Sequence, residues 1–125
     1  MEKYAQLFGR ILLAAIFVLA GIGKIADQTG TMQYMTAMGV PSLLMYPTIF
    51  LEVLGGLAIM IGYQVRYAAI ALAGFSVLAA LLFHTDFVDK MQAILFMKNM
   101  SMAGGLLLLS ISEKTNFGTK LPAKS

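Results

Sequence analysis

A chain of 125 residues that is 59% hydrophobic and only 12% charged cannot cover a water-facing surface of its own, because soluble domains carry roughly 25% charged residues. Its net charge is +3, but the basic residues stand singly, which excludes a nucleic-acid interface and leaves charge as a marker of membrane orientation. The chain has no cysteine, so disulfides, thiolate catalysis and zinc–thiolate centres are excluded within it.

Four apolar runs follow one another: Leu7–Ile25, Leu43–Tyr63, Tyr67–Phe83 and Met91–Ser112. Each approaches the roughly 20 residues that cross a bilayer core. Backbone groups in lipid must be satisfied within their own segment, so the runs are expected to be helices. One such run could be a buried soluble helix, but four in succession leave nothing to form a wet face. The expected fold is all-α: an integral membrane, antiparallel four-helix bundle over residues 1–112, with a flexible cytoplasmic tail at 113–125. The first run lacks an Ala-x-Ala cleavage site and is read as a retained span, not a signal peptide.

Between the first two runs, Met32, Met35 and Met38 recur every third residue. That spacing predicts a short amphipathic helix over Gly30–Gly39, lying across the outer mouth of the bundle. Gly39 should stop it, and Pro41 should open the next helix. Pro47 is expected to bend that helix just ahead of Glu52. The three thioethers suit adaptable packing better than a copper site. The tight connection at Gln64–Arg66 makes the second and third spans a hairpin. Ala58 with Gly62, and Ala69 with Ala73, are small pairs that should mark close helix contacts. The turn carrying His84, Asp86 and Asp89 reads as a solvated loop, and no metal is assigned.

Orientation follows from Lys and Arg. One side collects Lys3, Arg10, Arg66, Lys114, Lys120 and Lys124, against Lys24 and Lys90 on the other, with Lys98 if it is counted there. This bias places both termini in the cytoplasm.

The apolar runs also hold polar groups. Glu52 lies one turn before Gly55-Gly56 in an otherwise apolar span, and a carboxylate at that depth needs a partner inside the protein. Counted from the outer ends of their spans, Glu52 lies about 13 Å deep and Lys98 about 10 Å deep. Nearly equal depth makes Lys98 the expected partner, with Arg10 as the alternative and an outward-snorkelling Lys98 as the plain reading. His84, at the outer rim, is placed as a proton relay. Glu52, Lys98 and His84 are thus the candidate proton-handling residues, and Arg10, Lys24, Asn99 and Tyr34 the candidate polar lining of a cavity.

With these residues in view, the sequence resembles the DoxX family of small bacterial membrane proteins. The resemblance is carried by Gly9-Arg10, Ala20-Gly21-Ile22-Gly23-Lys24, Tyr34-Met35 with Gly39-Val40-Pro41, and Glu52 with Gly55-Gly56. It continues through Gly62-Tyr63 before Arg66, Phe83-His84, Asp86-Phe87, and Phe96-Met97-Lys98-Asn99 leading to Gly104-Gly105. It implies a four-helix protein of the bacterial inner membrane. Family members are associated with terminal or thiosulfate:quinone oxidoreductases in some organisms and with oxidative-stress complexes in others. Any sulfur redox step would then need a partner subunit, since this chain has no cysteine.

The leading expectation is a quinone-associated subunit of a membrane oxidoreductase, with no cofactor supplied by the chain itself. One alternative is a non-catalytic scaffold whose buried charges fix helix register. Another is a small-solute or proton pathway, which would need a homo-oligomer to provide room.

Overall fold

A computed structural model describes residues 2–112, and the tail expected at 113–125 lies outside the described residues. The described chain forms five α-helices: α1 (Glu2–Ala26), α2 (Gln28–Ala37), α3 (Met45–Ile61), α4 (Val65–Phe83) and α5 (Lys90–Ser110). A 3-10 turn, Ser42–Leu44, leads into α3. The helices α1, α4 and α5, and α3 with its leading turn, are each long and apolar enough to cross a membrane. At 1.5 Å per residue, α1 extends about 37 Å and overshoots the hydrocarbon core.

The expected bundle is therefore present, with shifted edges. The helix α1 begins five residues before Leu7, because Glu2–Gln6 continue its pattern at the headgroup level. The span expected to reach Tyr63 stops at Ile61, where Gly62 adopts φ 84°. Gly62 N–H donates to the Ile59 carbonyl and Tyr63 N–H to the Ala58 carbonyl, closing the helix in a Schellman cap. Gly62 thus ends the helix. Gly62→Ala should cost about 1 kcal/mol, since a Cβ resists the left-handed region. Its check is a lower midpoint in a thermal melt of the purified protein.

The outer helix forms two residues earlier than the methionine spacing suggests. Asp27 caps it, accepting from Gly30 N–H at 3.1 Å, which satisfies a donor left open at the helix start. Gly39, at φ 77°, ends the segment as expected. The bend expected at Pro47 moves forward. Pro47 is the third residue of α3, in the first turn, where its missing N–H costs little. The change of helical type lies ahead of it, at Ser42–Leu44.

Packing divides the bundle into two pairs. The helix α1 lies chiefly on α3, and α4 on α5, with fewer contacts between α3 and α4 and few between α1 and α5. Each seam is built from small residues, which let helices approach where lipid offers no hydrophobic drive to association. On α4, Ala69, Ala73 and Ala80 are buried. On α1 the inward stripe is Arg10, Ala14, Phe17 and Gly21, a spacing of four, three and four that keeps one face. The Gly55-Gly56 pair serves two neighbours: a Cβ at Gly56 would lie 2.6 Å from Val18 Cγ2 on α1, whereas one at Gly55 would lie 3.3 Å from Leu72 Cδ1 on α4.

The outward faces are apolar throughout. Leu12, Leu19, Phe50, Leu108 and Ile111 are all exposed, a surface that water would not tolerate and that lipid covers.

Candidate functional site

The seam between the two helix pairs widens toward the α2 end into a cavity of about 330 Å³. Its position follows from the packing: the α1–α3 and α4–α5 pairs are each tight, and the space between them is closed above by α2. Met35 of α2 is buried with Val40 and Met45, against Met32, Ile49 and Phe83. Tyr34 stacks on Phe83 at a centroid distance of 5.3 Å. Met32 and Met35 thus pack as the packing reading expects, whereas Met38 is exposed.

Glu52 reaches into this cavity from α3 and is 4% exposed. Its partner is Lys24: Lys24 Nζ donates to Glu52 Oε1 at 2.8 Å, with the two side chains 27% and 5% exposed. The expected pairing with Lys98, and its alternative with Arg10, are both replaced by this contact. The cause is the helix crossing. A Cβ at Gly21 would lie 2.5 Å from Val53 Cγ2 and 3.3 Å from Glu52 Cβ, so α1 touches α3 at the level of Glu52. Lys24, three residues further along the same face, is the next side chain able to reach down to the carboxylate. Lys98 matches Glu52 in depth but belongs to α5, which packs on α4.

Lys98 is exposed and lines the cavity from the opposite wall. Asn99, beside it, is buried and donates from Nδ2 to the Ser76 carbonyl at 3.2 Å, tying α5 to α4. Ser76 Oγ donates back to the Leu72 carbonyl at 2.9 Å. His84 stands at the end of α4, its Nδ1 2.8 Å from Gln92 Oε1. The contact ties the end of α4 to the first turn of α5. Asp89, grouped with His84 in the sequence, accepts from Met91 N–H and caps α5. Lys24, Tyr34, Glu52, His84, Lys98 and Asn99 all border the one cavity.

Arg10 does not border it. It is buried on the inward face of α1, fourteen residues and about 21 Å from Lys24. Ser76, Gln92 and Thr48 enter the account only with the structure. Ser76 contributes a backbone carbonyl, which no side-chain pattern announces.

Lys24, Tyr34, Glu52 and His84 fall within a recognisable sequence region, and Lys98 and Asn99 lie beyond it. The DoxX family model matches residues 5–85. The chain belongs to the DoxX family. This DoxX protein is 46% identical over 112 residues to the inner membrane protein YqjF of Escherichia coli (strain K12), covering 90% of this chain and 86% of that one. It is 31% identical over 113 residues to the inner membrane protein YphA of the same organism, at 85% and 81% coverage. A shorter match, 28% over 64 residues, is to the putative oxidoreductase CatD of Bacillus subtilis (strain 168), covering 51% of this chain and 48% of that one. No solved structure matches the chain.

Chemically, the DoxX cavity combines two things. Phe17, Phe75, Phe83 and Tyr34 supply aromatic walls, which suit a flat apolar ring. Lys24, Glu52 and His84 add ionisable side chains to the same lining.

Proposed function

We propose that this DoxX protein is the quinone-associated subunit of a membrane oxidoreductase, seated in the bacterial inner membrane. The observation that carries the reading is the union of aromatic walls with the Lys24–Glu52 pair and His84 around one cavity of about 330 Å³. Quinone reduction takes up protons at ring oxygens, and groups within hydrogen-bond reach of those oxygens supply them. A ring of that size fits the space, with its isoprenoid tail leaving between helices into lipid. Electrons come from a partner subunit, since this chain carries no thiol for sulfur chemistry. The name of the Bacillus subtilis relative, a putative oxidoreductase, supports the reaction class. The names of the two Escherichia coli relatives support the location. Four crossings return the chain to its starting side, and the Lys and Arg bias assigns that side, with both termini, to the cytoplasm.

Calorimetric titration of the purified protein with a short-chain ubiquinone and a short-chain menaquinone tests the reading. At least one should bind, and Glu52→Gln should weaken it about 10-fold, the loss of one charge-assisted hydrogen bond. Absence of binding by either quinone, or binding indifferent to Glu52, would remove the proposal.

A further inference from the structure

The cavity holds one more charge than the protein neutralises. The titratable groups facing it are Lys24, Tyr34, Glu52, His84 and Lys98. Lys24 and Glu52 cancel at 2.8 Å, and His84 is engaged with Gln92. Lys98 remains. It lies eight residues into α5, about 12 Å along the helix axis from its start. Among the described residues no hydrogen bond or ion pair reaches its ammonium group. A cation at such depth is costly unless a counter-charge meets it. The cavity beside it is the place where one can.

We infer that the cavity takes an amphiphile bearing a single anionic oxygen head, a carboxylate or an ionised ring hydroxyl, held by Lys98 Nζ. The apolar part then lies along Phe75, Phe83 and Met102, which line the same space. A dianionic head would exceed the one uncompensated positive charge, and a cationic head would be repelled by it. This rests on the reading of the cavity as a ligand site and narrows the ligand: of the quinones, those carrying an ionised hydroxyl are preferred. A fatty acid offers the same head chemistry from another source.

The test is calorimetry on the full chain in nanodiscs, with wild type, Lys98→Gln and Lys98→Arg. The probes are a 3-alkyl-2-hydroxy-1,4-naphthoquinone with its 2-methoxy counterpart, and dodecanoate with dodecanol. At least one anionic probe should bind about 10-fold or more tighter than its neutral counterpart, the strength of a charge-assisted contact. Lys98→Gln should abolish that preference and Lys98→Arg should keep it, with thermal melts of both variants matching wild type. If dodecanoate shows the preference and neither naphthoquinone binds, the Lys98 site stands and the quinone reading falls. If both naphthoquinones bind alike and dodecanoate binds no tighter than dodecanol, the quinone reading stands and this inference falls. A preference that survives in Lys98→Gln, or no binding of either anion, overturns the inference.

Discussion

Lys24→Met should destabilise the folded bundle by about 3 kcal/mol, the lower end of what breaking a buried ion pair costs. The lower end applies because Lys24 keeps 27% of its side chain exposed, whereas Glu52 keeps 5%. The loss is the burial of a carboxylate without its counter-charge more than the loss of the contact itself. Combining Lys24→Met with Glu52→Met should therefore restore most of the stability, since two well-packed apolar side chains replace a buried pair at little cost. Denaturation with sodium dodecyl sulfate, followed by helical ellipticity, reads both outcomes. A single variant as stable as wild type would mean that Glu52 is satisfied by some group other than Lys24.

Gly56→Leu should prevent α1 from seating on α3. At Gly56 even a single methyl would sit 2.6 Å from Val18 Cγ2 and 3.2 Å from the Ala14 carbonyl oxygen, and the latter is backbone that cannot swing aside. Overpacking of a well-packed seam costs about 1–3 kcal/mol for a small addition, so Gly56→Ala should be tolerated with a lowered melting midpoint. The larger leucine should leave little folded protein. Gly23→Ala serves as the control, for a Cβ there meets nothing within 4 Å. It should be neutral or stabilise by up to about 1 kcal/mol through helix propensity. Gly56→Leu has a second consequence, because the crossing that places Gly21 against Glu52 also places Lys24. Any folded fraction of that variant should lose quinone binding along with its ion pair.

The four crossings and the outer helix were legible because they depend on run length, turn residues and the solvation of backbone in lipid. None of those requires knowing a neighbour. The partner of Glu52 was not legible. Counting residues gives depth along a helix, and on that measure Lys98 matches Glu52; it says nothing about which helices adjoin. The deciding signal was present in another form. Arg10, Ala14, Phe17, Gly21 and Lys24 repeat at spacings of three and four, a stripe that ends in a cation. Two of its members are small enough to seat a neighbouring helix. Reading that stripe against Gly56 would have set α1 on α3 and brought Lys24 over the carboxylate. Ser76 was hidden for a different reason: its carbonyl takes the bond from Asn99, and every residue presents a backbone carbonyl. The cavity itself arises from how the helices divide into two pairs, which depends on the angles between them.

A double-mutant cycle between positions 24 and 52, run beside one between 98 and 52, decides which lysine is the partner of Glu52. With Lys24→Met, Lys98→Met and Glu52→Gln, the coupling between 24 and 52 should be at least about 1 kcal/mol, and that between 98 and 52 within about 0.5 kcal/mol of zero. A dominant coupling between 98 and 52 would contradict the arrangement of the site described above.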